Sequence, residues 1–245
     1  LLEAINVGSL DVGTVGEAPP IFAQAAGADL VYVGNEPPAP TAEALVVPKD
    51  SQIKSVADLK GRKIAVAKGS NANYLLIKLI EKAGLKFSDV SVVYLAPADA
   101  RAAFESGRVD AWSIWDPFLA AAEKQLGARV LADGRGAVAN HQFYQAARSF
   151  AEKHPEIIHI LLDEIAKVDQ WGKQNPKEVA KFIAPLIGIE LPIAELAAQR
   201  LTYGVKPVTD EVLAQQQKVA DAFAELKLVP KPVRVADAAW KNSRK

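Results

Sequence analysis

Short apolar runs, each closed by glycine or a polar cluster, recur along the first 140 residues. They fall at 10–16, 29–36, 43–48, 63–67, 90–95, 109–115 and 128–132, and each predicts a buried strand. Between them lie stretches with helical spacing. "EAPPIFAQAAGA" sets Pro19 and Pro20 in a first turn and Gly27 at the end. "SVADLKG" offers Ser55 as a cap, Asp58 at the third helical position and Gly61 as a stop. Further helices are predicted over 71–83, 98–107 and 116–127. The strand–helix–strand rhythm favours a mostly parallel sheet covered by helices. From Phe150 the pattern turns helical. Ile157, Leu161, Ile165 and Val168 share one face, "NPKE" places Asn175 as cap before Pro176, and Thr209 opens a helix bearing Val212, Leu213, Val219 and Phe223. Trp171 and Trp240 are expected to be packing residues.

One junction carries chemistry. In "VAKGSNANYLL" a strand stops at Gly69 and a helix starts at Ser70 or Asn71. A helix start leaves main-chain N–H groups without intrahelical partners, and its dipole favours an anion. Two other stretches echo each other: "GSLDVGTVGEAPP" and "GRVDAWSIWDPF". Each runs from glycine through an aliphatic residue and Asp into a strand, then an acid and a proline at a helix start. Ordinary crossovers explain much of this match. It also fits two similarly built lobes that present Gly16–Glu17 and Trp115–Asp116 at the carboxyl ends of strands, where open α/β sheets bind ligands.

Composition narrows the partners. Half of the 245 residues are hydrophobic, and 29 basic residues balance 29 acidic ones. That argues against a nucleic-acid surface and against a large positive field, so an anion would be held by local hydrogen bonds. The absence of cysteine excludes disulfides and thiolate chemistry. No apolar stretch is long enough to span a bilayer. The chain holds no signal peptide and opens on "LLEAINVGSLD", which reads as a helix tail entering a strand, as expected for a piece of a longer product.

The stretches "GEAPPIFAQAAGADLVYVGNEPPAPTAEALVVPKDS", "SVADLKGRKIAVAKGSNANYLL", "PADARAAFESGRVDAWSIWDPFLAAAEKQLGARVLADG" and "NHQFY" together resemble the aliphatic-sulfonate-binding proteins of bacterial ABC importers, a group that includes nitrate- and taurine-binding proteins. The resemblance implies an α/β, two-lobed periplasmic-binding-protein-like fold of type II, each lobe a mixed sheet flanked by helices, with the ligand in the interlobe cleft. Lobe one would be 1–46 plus 139–245, and lobe two 47–138. The family usually begins with a further strand–helix–strand piece, and this sequence is expected to start after it, that piece being either removed or not observed. Implied too are a periplasmic or lipid-anchored location, a monomer, a sulfonate ligand and a membrane permease as partners, and no nucleic acid. No cofactor or metal is expected.

On that resemblance Ser70, Asn71 and Asn73 are assigned to the sulfonate oxygens, Thr14, Gly16 and Glu17 to a facing loop, Trp115 to the alkyl part, and Asp116 and His141 to the same site. Plainer roles stand beside these: a cap for Ser70 and Asp116, complementing a helix dipole for Glu17, core packing for Trp115. Catalytic signatures are sparse. G-x-S-x-G, H-E-x-x-H, Walker and dinucleotide motifs are missing, and three scattered histidines do not space as metal ligands. The reading is a binder and not an enzyme. The alternatives are an enzyme on the same scaffold, such as one making thiamin pyrimidine or a menaquinone precursor, a nitrate-binding protein, or a sensory domain.

Overall fold

The computed structural model describes residues 1–242. Along the chain run α1 (Leu2–Asn6), β1 (Val12–Gly16), α2 (Ala18–Ala25), β2 (Leu30–Asn35), β3 (Glu43–Val47), β4 (Lys63–Val66), α3 (Asn71–Lys82), β5 (Ser91–Tyr94), α4 (Pro97–Glu105), β6 (Ala111–Trp115), α5 (Phe118–Leu126), β7 (Arg129–Asp133) and β8 (Gln142–Ala147). The helical third follows: α6 (Arg148–Lys153), α7 (Pro155–Gln174), α8 (Pro176–Ile187), α9 (Leu191–Ala198) and α10 (Asp210–Glu225). The seven strands expected from apolar runs form, with ends moved by one or two residues. The stretch after Ser55 makes only a short 3-10 turn, Val56–Leu59, closed by the expected box in which Ser55 N and Oγ both donate to Asp58 Oδ2, at 2.8 and 3.0 Å.

The chain divides into two compact units. One comprises Leu1–Pro38, His141–Gln174 and Thr202–Lys245; the other comprises Ala39–Asn140 and Asn175–Leu201. This differs from the expected lobes at three places, the smallest being residues 139–140, which fall in the second unit. Residues 39–46 belong with the second unit because β3 is hydrogen-bonded between β6 and β7 in that unit's sheet. Residues 175–201 join it too, since Gln125 Nε2 donates to Glu190 Oε1 at 2.7 Å and Arg200 pairs with Asp116 and Glu123.

In the second unit the sheet order is β5-β4-β6-β3-β7, with β5, β4 and β6 parallel and β3 antiparallel to both neighbours. Helices cover both faces, so the central strands carry apolar side chains on alternate sides. Leu45, Val47, Ile64 and Val66 face Leu75, Leu76, Leu79 and Ile80 of α3. Ala44, Val46 and Ala65 face Phe104, Trp112 and Leu119. In the first unit the order is β1-β8-β2, and β8 runs antiparallel to both. The expected mostly parallel sheet is therefore found only in part of the second unit. β8 arrives from more than a hundred residues downstream and inserts between β1 and β2, a pairing that no local rhythm announces. All six residues of β2 are buried, its outer edge bridged by Lys206 and Ala239.

The face expected on α7 is displaced. Ile158 is fully buried and Leu162 packs with it against Val31, Val33, Ala146 and Trp240, while Ile157 and Val168 are 44% and 63% exposed. Trp240 is a packing residue as expected; Trp171 is half exposed.

Candidate functional site

The α3 start is built as a capped turn. Ser70 is extended (φ −90°, ψ 166°), its Oγ accepts from Asn73 N at 3.1 Å and donates to Ala67 O at 2.8 Å. Asn73 Oδ1 accepts from Gly69 N at 3.2 Å, and Tyr74 N bonds Ser70 O at 3.2 Å. The N–H groups of Gly69, Ser70, Asn73 and Tyr74 are thus all bonded within the chain, and the helix start offers fewer main-chain donors than its sequence suggests. Buried Asn71 turns its Nδ2 to Asn140 Oδ1 at 2.7 Å. Asn140 in turn donates to Ala39 O at 2.8 Å, from a left-handed backbone (φ 54°) that asparagine tolerates better than most residues. Asn71, Asn140 and the 39–42 turn are thereby linked, joining residues 69 and 101 positions apart.

Trp115 and Asp116 lie in the same unit. Trp115 is half-buried against both cores and meets Phe118 edge-on at 5.9 Å. Asp116 Oδ1 accepts from Ala120 N at 2.9 Å, capping the first turn of α5, and both its oxygens lie 3.4 Å from Arg200, which also pairs with Glu123 at 2.5 Å. Burial pushes the Asp116 carboxyl up to about 6, Arg200 and the Ala120 N–H working against that rise. The carboxylate is occupied by these partners.

In the first unit Thr14 is exposed on edge strand β1, opposite Tyr144, and Gly16 is opposite Gln142. Glu17 is buried at the start of α2. Its Oε2 accepts from His141 N at 2.9 Å, so the structure brings these two residues together across 124 positions. The His141 ring is fixed at both nitrogens: Nδ1 lies 2.9 Å from Glu36 O and Nε2 3.2 Å from Gln215 Oε1. A carbonyl only accepts, so Nδ1 carries a proton. Both ring nitrogens thus rest on oxygens of the first unit, a main-chain carbonyl and a side-chain amide. Beside His141 opens a cavity of about 730 Å³ whose walls include Pro37, Pro38, Val208, Val212 and Gln215. Thr209 caps α10 at its rim, accepting from Val212 N. Sequence reasoning missed Gln215 and Glu36; neither sits in a recognisable motif, and only the fold brings them to His141.

A family model described as NMT1/THI5 like matches residues 1–179. The chain belongs to the NMT1/THI5-like family. A relative from Escherichia coli strain K12, provisionally named as an aliphatic sulfonates-binding protein, is 49% identical over 245 residues, all of this chain and 77% of that protein. Among solved structures, the periplasmic aliphatic sulphonate binding protein SsuA from Escherichia coli superposes with a TM-score of 0.94 at 47% identity, covering 100% of this chain and 80% of that one. The alkanesulfonate-binding protein SsuA from Xanthomonas axonopodis pv. citri, bound to MOPS, superposes at 0.90 with 41% identity, covering 98% and 83%. The fold is therefore the α/β periplasmic-binding-protein fold of SsuA. The desulfurization enzyme DSZB shares it too, at 20% identity and a TM-score of 0.70, so fold alone does not separate binder from enzyme.

Proposed function

We propose that this chain is the substrate-binding protein of an ABC importer, which captures an aliphatic sulfonate in the periplasm as a monomer and hands it to a membrane permease unchanged. The observation that carries this reading is the likeness to sulfonate-binding proteins at 41–49% identity over essentially the entire chain. Site chemistry supports it. A sulfonate is permanently ionised and acceptor-only, so neutral donors suit it and no titrating partner is required. In the second unit the donors are the α3 start capped by Ser70 and the side-chain amides of Asn71 and Asn73, with Trp115 against the carbon chain. In the first unit Thr14, Gly16, Glu17 and His141 contribute, and the cavity beside His141 takes organic substituents. Asp116 is left out of this set because Arg200 and Ala120 N occupy it.

Binding without chemistry is supported by His141, whose two ring nitrogens rest on Glu36 O and Gln215 and not on a nucleophile. Titration calorimetry and thermal shift with methanesulfonate, longer alkanesulfonates, taurine, MOPS, sulfate and nitrate test the reading. A sulfonate should bind one to one, raise the melting temperature as its concentration passes Kd, and be recovered intact by mass spectrometry. A response to nitrate alone would refute the sulfonate assignment, and a converted ligand would refute the binder.

A further inference from the structure

Behind His141 lies a cluster of acids and phenols that ligand binding does not use. Glu36 and Asp169 are buried, 7% and 8% exposed. Glu36 Oε1 accepts from Tyr144 OH at 2.9 Å. Its Oε2 is buried without a hydrogen-bond partner of its own, and the Glu36 carboxyl lies against the Asp169 carboxyl with the Gly204 N–H beside both. Asp169 Oδ2 accepts from Gly204 N at 3.2 Å and Val205 N at 2.8 Å. The titratable groups facing the pair are Tyr144 from β8, Tyr203 from the 202–206 segment, with its hydroxyl buried, and the His141 ring on the Glu36 carbonyl. No lysine or arginine forms an ion pair with either acid among the described residues.

Two ionised carboxylates cannot rest against each other in a buried site without a cation, and an oxygen without a hydrogen-bond partner needs a proton. We propose that Glu36 and Asp169 share a single proton, carried on Glu36 Oε2 and donated to Asp169, and that it fastens together the first-unit roots of all four chain connections to the second unit. Asp169, whose Oδ2 already receives two N–H bonds, is the accepting partner. Glu36 stands just before the Pro38–Ala39 connection, Tyr144 just after Asn140–His141, Asp169 in the part of α7 leading to Gln174–Asn175, and Gly204 and Val205 just after Leu201–Thr202. Other bonds join the same roots: Glu36 N to Gln142 O at 2.9 Å, Thr202 Oγ1 to Pro37 O at 2.7 Å, and Asn35 N to Lys206 O at 3.0 Å. Burial, with Asp169 adding and Tyr144 OH opposing, raises the Glu36 carboxyl to about 7. The proton is therefore held through acidic to neutral pH. Its loss sets a second charge in the cluster and loosens the Gly204–Val205 segment.

Glu36→Gln tests this, because its amide donates to Asp169 and accepts from Tyr144 at every pH. Amide hydrogen exchange at Gly204 and Val205, corrected for the intrinsic rate, should speed up by as much as about tenfold per pH unit between the ordinary glutamate range and about pH 7 in the native protein, levelling off above it, and stay level throughout in Glu36→Gln. Equal profiles in the two proteins would overturn the proposal. Should the variant not fold, infrared spectra of the native protein with labelled glutamate carboxyls serve. A carboxylic-acid C=O band persisting to near pH 7 is expected. Its disappearance in the ordinary glutamate range would overturn the proposal.

Discussion

Arg200→Met separates a structural tie from a charge held by chance on the surface. Arg200 is 17% exposed in its side chain and reaches Asp116 (4% exposed) and Glu123 (24% exposed). It ties the 175–201 excursion to the β6–α5 corner of the second unit. Removing one partner of a buried ion pair costs about 3–5 kcal/mol when the other charge is stranded. Here two things lower that figure: Glu123 is partly solvated, and Asp116 can escape by taking a proton. Because burial raises the folded Asp116 carboxyl to about 6 from an ordinary 3.8, this group stabilises the native state most below pH 3.8. That contribution is lost as pH rises to about 6 and is level above it. Without Arg200 the folded carboxyl titrates higher still, so the loss continues past 6. At pH 5 the group is mostly protonated in both proteins and the deficit is small, about 1 kcal/mol, from Glu123 and lost packing. Each further pH unit over which only the native protein ionises adds about 1.4 kcal/mol, giving a deficit of roughly 3 kcal/mol at pH 8. Urea unfolding of both proteins at pH 5, 6.5 and 8 measures it. A deficit that does not change with pH, or one that shrinks towards pH 8, would refute the account of Asp116 as a buried carboxylate kept ionised by Arg200.

Two further predictions follow from packing and capping. Ile158→Ala should cost about 2–4 kcal/mol in unfolding free energy, whereas Val168→Ala should stay within about 0.5 kcal/mol, since only the first empties a core position; equal costs would show that the buried stripe of α7 is misplaced. Ser70→Ala should destabilise by about 1 kcal/mol through loss of the Oγ acceptor for Asn73 N, while Ser70→Asn, which keeps a capping acceptor, should recover most of that in thermal melts.

The α7 discrepancy shows why local pattern reached the element but not its orientation. "IIHILLDEIAKV" places apolar residues in adjacent pairs, Ile157–Ile158 and Leu161–Leu162, so two stripes one residue apart both satisfy helical spacing. The tie is broken by tertiary partners absent from a hydrophobicity count. Asp169 must face Gly204 and Val205 to receive their N–H groups, and Gly172 must face Tyr203, whose ring stands where a side chain at 172 would lie, 3.1 Å from its Cβ. Both positions continue the stripe of Ile158 and Leu162. The polar and the smallest residue of the helix, disregarded by an apolar pattern, mark its buried side.

The candidate site divides along the same line. Ser70 as a cap was legible because a cap is a local arrangement, satisfied within three residues. The Asn71–Asn140 and Glu17–His141 bonds were not, since each joins segments brought together only when β3 and β8 take their places in different sheets. Those distant bonds also decide what the local motif is worth. A helix start read in isolation promises several vacant donors. The folded chain bonds four of the N–H groups around it internally, and gives Asn71 a buried amide partner. Selectivity for an anion at α3 therefore rests less on a generic helix dipole than on how Asn71 and Asn140 are held against each other, a coupling that a sequence reader meets only as two asparagines 69 positions apart.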